Sequence, residues 1–314
     1  SAARRNHPSY GMKKSVIFII ILFAAGILSL KINKPFYGYH DWNAITYGQI
    51  AKNYTRYGLI KTKLGQVENL NLTTPDNFHF DTHFPPLFTL LLSIPVYLFG
   101  AQPWAIRSLP VIFSLLTVFF IYQLVSSIKD QSTAIVASII TILTPVYIYF
   151  GKNPVHETLN LLFIVVNVYL FVRYLKSESD KKNERFNLLL ISSFLSLFSG
   201  WQTFYLMPAL TAIGYVKTKE KKFFIFSLIP FVVLGIHLLH IKLLTGSIGG
   251  GSLLKAFLQR LNIKPVSKDE VFTISQFIRR FFLYSRNMFT FPLIVTSALG
   301  LIFVPKYRWL LLLL

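Results

Sequence analysis

Apolar runs dominate the chain, and their order predicts an all-α protein that crosses a membrane repeatedly. They cover residues 15–30, 85–100, 104–126, 133–150, 158–175, 186–199, 203–216, 223–244, 288–304 and 309 onward. Several approach the roughly 20 residues needed to span a hydrocarbon core. Between the first two runs lies a different pattern. From Trp42 onward Ile45, Tyr47, Ile50, Ala51, Tyr54 and Tyr57 recur at helical spacing. Asp41 stands in the N-cap position of that helix, and Gly58 ends it.

Composition fits this picture. Hydrophobic residues make up 53% of the 314 and charged residues only 14%, well below the charged share of a soluble domain. Mean hydropathy is positive. Thirty Phe and sixteen Tyr suit lipid-facing and interfacial positions. The net charge of +20 would suit a nucleic-acid partner, but the Lys and Arg sit in short loops between apolar runs. That is how membrane orientation is encoded, and no nucleic-acid partner is expected. Zero Cys excludes disulfides, thiolate nucleophiles and Cys-based metal sites. Residues 1–11 precede Met12 and read as a tag remnant or disordered lead. No small-residue cleavage site follows run 15–30, so it reads as an uncleaved span. The closing Trp309 and five leucines read as the middle of a span in a longer protein.

Charge fixes the topology. Lys13 and Lys14 place the N-terminus in the cytoplasm. If every run crossed, the basic stretches 173–185 and 217–222 would fall outside. One early run must therefore stay on one side. Run 85–100 is short, opens on Pro85-Pro86 and contains Pro95, so it is expected to be an interfacial helix. Lys129, Arg173, Lys176, Lys181, Lys182, Arg185, Lys217, Lys219, Lys221, Lys222, Lys306 and Arg308 then all become cytoplasmic. Outside lie a large first loop (31–103), a turn around Gly151–Glu157 and a loop over 246–287. The hairpin 186–216, with about 15 residues per leg, is expected to be tilted or re-entrant.

Twelve carboxylates make elimination practical. Asp130, Glu178, Asp180, Glu184 and Glu220 sit in basic cytoplasmic loops as charge partners. Glu68, Asp76, Asp269 and Glu270 belong to polar stretches of the outer loops. Asp41, Asp81 and Glu157 remain, beside apolar segments on the outer face. Asp41 can cap its helix and act chemically, since a cap fixes a carboxylate in place. Glu157 can be a helix-start acid favoured by the dipole, but Lys152 and His156 accompany it, and charge beside a bilayer points to function. His40, His79, His83, His156 and His240 lie at or near the outer boundary, as a polar pocket there would require. No metal-ligand spacing such as H-E-x-x-H exists. Gly246–Ser252 lacks the Lys-Ser/Thr ending of a phosphate loop and reads as a hinge.

An Asp just after the first span, an H-x-P-P-L lead into a surface helix, and an acid some seventy residues later resemble the GT-C glycosyltransferases. The pattern is similar to the protein O-mannosyltransferase branch (glycosyltransferase family 39), which includes the aminoarabinose transferases of lipid A. It covers about residues 12–215, taking in Asp41, His83, Pro85, Pro86, Leu87, Phe99–Leu116 and Glu157. Many relatives carry a second acid where this chain has Trp42, and often Asp where Glu157 stands. The resemblance implies a GT-C-like helix bundle over 12–245, a lid-like outer loop over 246–287 and further spans over 288–314. It also implies a plasma-membrane enzyme with an extracytoplasmic active site and a polyprenyl-phosphate sugar as donor. The acceptor is a protein, lipid or glycan. The resemblance fixes no cofactor, and a divalent cation is compatible.

Asp41 is then the expected general base, with Glu157 a second catalytic acid. His40, His83, Lys152, His156 and Gln202 are expected to touch substrate. Trp42 and Trp201 can stack on sugar or anchor at the interface. Arg279 and Arg286, seven residues apart, can clamp the donor phosphate, and they can equally snorkel to lipid headgroups. Two other classes remain open on these residues: a flippase for lipid-linked sugars, and a non-catalytic subunit of a glycan-assembly complex. Nearly charge-free spans favour the enzyme over the flippase.

Overall fold

The structure, a computed structural model, describes residues 14–38, 41–248 and 273–303, with isolated positions at 253 and 258. Residues 1–11, His40, Gly249 to Ser252 and the run from 309 lie outside the described residues.

The described chain is almost entirely helical. It contains α1 (Lys14–Ser29), α2 (Asp41–Tyr57), α3 (Leu87–Phe99), α4 (Pro103–Ile128), α5 (Gln131–Leu143), α6 (Pro145–Phe150), α7 (His156–Leu175), α8 (Ser179–Ser196), α9 (Gln202–Thr218), α10 (Ile225–Thr245), α11 (Ile274–Phe289) and α12 (Phe291–Phe303). A two-stranded ribbon, β1 (Gln66–Val67) and β2 (Phe80–Asp81), pairs Gln66 with Asp81 and Val67 with Phe80. Three stretches, Pro103–Ile128, His156–Leu175 and Lys221–Thr245, are long and apolar enough to cross a membrane. The protein is an integral membrane protein.

α2 and α3 pack on the bundle. α2 buries Ala44, Tyr47, Gly48, Ile50, Ala51 and Tyr54, one face at steps of three and four, whereas Trp42 and Ile45, which share the apolar pattern of the sequence, are exposed because they fall on the opposite side. Tyr47, Ile50, Ala51 and Tyr54 pack with Phe88, Leu92 and Val96 of α3 against Ile106 and Phe113 of α4 and Leu159 and Leu162 of α7. A Cβ on Gly48 would come within 2.9 Å of Ile106, so the glycine lets α2 sit close on α4. Asn53 of α2 donates to the carbonyls of Val67 and Asn69 and ties the ribbon down. α3 has 13 residues, about 20 Å of helix, fewer than the roughly 20 residues of a full span.

Element boundaries differ from the sequence reading in four places. Run 133–150 breaks at Thr144, where Pro145 opens a new helix because its ring cannot continue the old one. The hairpin legs are longer than their apolar cores, 18 and 17 residues, because the polar start of α8 is already helical. The end of stretch 246–287, expected to be loop, is helix, as α11 begins at Ile274. Asp41 is the first residue of its helix, and its Oδ2 reaches back to the Gly38 N–H at 2.6 Å instead of capping forward. Gly58 closes α2 as expected, with φ +81° and its N–H on the Tyr54 carbonyl.

The two ends of the bundle differ in chemistry. At one end Glu220 binds Lys182, Lys222 (2.9 Å) and the Tyr174 hydroxyl, joining α7, α8 and the α9–α10 turn. Burial pushes the Glu220 carboxyl upward, but hydrogen bonds from Lys182, Tyr174 and Lys222 outweigh it and hold the pKa at about 2, against an ordinary 4.5. A carboxylate depressed in the folded state stabilises fully above its unfolded value, and the gain disappears as pH falls through the folded one. Glu220→Gln is therefore expected to lower the melting temperature at pH 7, with the gap from wild type closing between about pH 4.5 and pH 2. A pH-independent gap would show that the network carries no charge-dependent stability.

The opposite end carries the ribbon, α2, α3 and the starts of α4, α7 and α9. We propose that this end faces outward, as the basic loops at the other end require. Leu70 and Gln102 are exposed there. In the naturally Cys-free chain, Leu70→Cys and Gln102→Cys are expected to react with an impermeant maleimide from outside, and Asn183→Cys only after permeabilisation. Labelling of Gln102→Cys from the cytoplasm alone would make α3 a span.

Candidate functional site

Two side-chain groups meet at the ribbon end, linked through α2. The first surrounds Asp41. Arg107, one turn into α4, is buried, and its Nη1 donates to the carbonyls of Ile32 (2.9 Å) and Lys34 while the guanidinium lies over the Phe36 ring. Asp41 acts electrostatically on Arg107. The Lys152 ammonium donates to the Leu30 carbonyl at 2.6 Å. Burial, then Arg107 and Lys31, pull its pKa below the ordinary lysine value. The linker from α1 to Asp41 is thus gripped at three carbonyls by two cations, and Asp41 itself closes its last turn through Gly38.

The second group surrounds the segment from Asp81 to Leu87. Asp81 Oδ1 accepts the His83 N–H at 2.9 Å. Three successive carbonyls are each captured by a different element. His237 of α10 donates from Nε2 to Thr82 (3.2 Å), Trp201 from its indole to His83 (2.9 Å), and Gln66 of β1 to Phe84 (2.8 Å). A carbonyl only accepts, so His237 carries its proton on Nε2. Pro85 and Pro86 have no N–H to satisfy. The loop is therefore held by its backbone.

Phe84 lies on the His156 ring, centroids 3.7 Å apart, and near Trp201. His156 Nδ1 is 3.2 Å from the Tyr47 hydroxyl. Its Nε2 is buried without a hydrogen bond, and Glu157 Oε1 lies 3.4 Å away, within ion-pair distance but off hydrogen-bond geometry. Burial, then Asp81 and Glu157, raise the Tyr47 pKa and keep the phenol protonated. Asp41 and Tyr47 are six residues apart, about 9 Å of helix rise, and Lys152 and His156 flank one short loop. The two groups are neighbours.

The expected site residues are therefore partly assembled. The structure brings His83, His156, Glu157 and Trp201 into one wall, and Asp41 and Lys152 into the other group. Trp42 points away on the exposed face of α2. Gln202 is committed through its amide oxygen to Asn160, at 2.5 Å. Arg279 and Arg286 are exposed on α11, which touches α6 and α12. Arg107, Tyr47, Gln66, Asn160 and His237 escaped the sequence reading. Arg107 had the clearest signal, as a cation just inside an apolar run. Among the described residues no group of three or more His, Asp or Glu could hold a metal ion.

A family model described as dolichyl-phosphate-mannose-protein mannosyltransferase matches residues 83–244, more than half of the chain. The chain belongs to this family. The match runs from His83 to Leu244 and so takes in the H-F-P-P-L segment, Arg107, Glu157 and α10, while Asp41 lies upstream of it. The fold of this mannosyltransferase-family chain is similar to that of a solved archaeal oligosaccharyltransferase, AglB from Archaeoglobus fulgidus in complex with an inhibitory peptide and a dolichol-phosphate, with a TM-score of 0.50 and 16% identity. That match covers 95% of this chain and 38% of the other. A second structure, the Archaeoglobus fulgidus oligosaccharyltransferase complex with Zn and sulfate, matches with a TM-score of 0.48 and 16% identity, over 92% of this chain and 40% of that one. The chain spans about two fifths of the length of these structures. Comparison with curated proteins returns no match.

Proposed function

We propose that the protein is a membrane glycosyltransferase that moves a sugar from a polyprenyl-phosphate donor to an acceptor on the extracytoplasmic side, with Asp41 as general base. The observation that carries this reading is the fixed carboxylate. Asp41 is held at the mouth of the bundle by the Gly38 N–H and by a linker gripped at three carbonyls. Family membership supplies the reaction class, and the neighbour with bound dolichol-phosphate supports a lipid-phosphate donor.

In the proposed step the acceptor oxygen attacks the anomeric carbon as Asp41 takes its proton. The bond from that carbon to the phosphate oxygen breaks, and its electron pair leaves with the polyprenyl phosphate. A phosphate monoester is a good leaving group when a cation faces it. Lys152 has two N–H donors beyond the one given to Leu30 and sits in the Asp41 group. His83, Phe84, Trp201 and His156 form the wall against which sugar and acceptor rest, and Glu157 orients the acceptor. A single displacement inverts the anomeric centre. Product configuration is the test: transferred sugar is expected with inverted configuration, and a retained one would require a covalent intermediate and overturn this role for Asp41.

A further inference from the structure

The turn between α2 and β1, Gly58-Leu59-Ile60-Lys61-Thr62-Lys63-Leu64-Gly65, is apolar, basic and tightly built. Lys63 and Leu64 are both left-handed, at φ +51° and +57°, a conformation that side chains rarely adopt. Their surroundings over-determine it. The Thr62 hydroxyl donates to the Gly58 carbonyl and the Leu64 N–H to the Leu59 carbonyl, both at 3.0 Å. From outside the turn, the Tyr54 hydroxyl donates to the Leu64 carbonyl at 3.0 Å and His240 Nε2 to the Lys63 carbonyl at 2.8 Å. This backbone order presents apolar side chains outward. Leu59, Ile60 and Leu64 are exposed, Ile60 at 93%, and Lys61 and Lys63 are exposed beside them.

The place of the turn identifies what covers its tip. Lys63 Nζ lies 3.5 Å from the Leu243 carbonyl, and a Cβ on Gly65 would come within 2.7 Å of Leu244, so the turn rests on the last residues of α10. That helix closes a stretch, Lys221–Thr245, long and apolar enough to cross a membrane. Leu228, Phe231, Val232, Ile236, Leu239 and Leu243 form an exposed stripe along it, and exposed Lys242 stands where the stripe ends. A lysine there marks the level at which a span leaves hydrocarbon. From Trp42 to Val67 the chain carries Lys52, Arg56, Lys61 and Lys63 and no acid.

We propose that the turn Gly58–Gly65 is a preformed wedge that docks into the bilayer surface at the ribbon end of the bundle. Leu59, Ile60 and Leu64 enter the acyl boundary, and Lys61 and Lys63 meet the phosphates of anionic lipid headgroups. An apolar tip between cations, continuous with the lipid-facing stripe of a span, is the chemistry of an interfacial anchor. The left-handed pair keeps the tip projecting instead of folding it back on the ribbon. The proposal does not depend on the transfer reaction.

The absence of native Cys makes the test direct. Ile60→Cys and Asp76→Cys, the second in the loop at the opposite end of the ribbon, are each made in the full chain and labelled with bimane. Both positions are exposed, so neither substitution removes packing. The proteins are reconstituted into phosphatidylcholine vesicles with and without phosphatidylglycerol. Acyl-brominated lipid is expected to quench the label at 60 at least about twofold more than that at 76, with aqueous iodide giving the reverse order. Phosphatidylglycerol is expected to deepen the lipid quenching at 60. Lys61→Gln together with Lys63→Gln is expected to remove that gain and to leave binding of polyprenyl phosphate unchanged. Equal lipid quenching at the two positions would overturn the proposal. So would shielding of position 60 from both quenchers, which would assign the tip to a protein contact. Weakened polyprenyl-phosphate binding in the lysine variant, with the quenching pattern intact, would overturn it by assigning the lysines to that phosphate.

Discussion

Asp41→Asn is expected to fold normally and to lose sugar transfer by about a hundredfold or more, the usual scale for removing a general base. The amide keeps the size of the side chain and an oxygen that can still accept the Gly38 N–H, so the start of α2 survives. It cannot take a proton. The loss should fall on kcat, with donor affinity nearly unchanged, because the binding wall around Phe84 and Trp201 is untouched. Glu157→Gln is expected to do less harm: Glu157 is exposed at the start of α7, and orienting an acceptor survives an isosteric amide better than proton transfer does. Near-normal turnover in Asp41→Asn, measured beside its thermal unfolding, would leave Asp41 a purely structural role.

Arg107→Ala is the second large effect expected. The guanidinium is buried, holds the Ile32 and Lys34 carbonyls, and covers Phe36. Removing it strands acceptors that water does not easily reach, at a cost of about 1–3 kcal/mol. It also releases the linker that sets Asp41, and a displacement of about 1 Å at a reacting group can cost a hundredfold in rate. Arg107→Lys keeps the charge but not the fork, so it should recover stability more than kcat. The diagnostic is the KM–kcat split in Arg107→Lys. A protein as stable and as active as wild type after Arg107→Ala would show that the linker positions itself.

What the sequence disclosed, and what it hid, follows from which groups carry residue identity. Apolar periodicity located the helices, three of them long and apolar enough to span, and much of the buried face of α2, because burial selects side chains directly. The charge rule proposes α3 as a helix that stays on one side; the structure gives it 13 residues, the same length as α5. Boundaries were read less well. The polar first turns of α8 look like loop until one sees that helix geometry tolerates them, and Pro145 divides what hydropathy alone joins. The grip on Thr82, His83 and Phe84 was invisible for another reason. Backbone carbonyls are present at every residue, so nothing in the order of side chains announces that three of them will be captured by Gln66, Trp201 and His237. Trp201 was noticed for its ring, and the structure uses its N–H.

The most direct measurement is transfer of radiolabel by the purified full-length protein in detergent, offered a panel of polyprenyl-phosphate sugars together with protein, lipid and glycan acceptors. Label moving from at least one donor to an acceptor in wild type, and falling by about two orders of magnitude in Asp41→Asn, is the predicted result. A folded wild-type protein that binds these donors and transfers label from none of them, or an Asp41→Asn variant that transfers as fast as wild type, would contradict it.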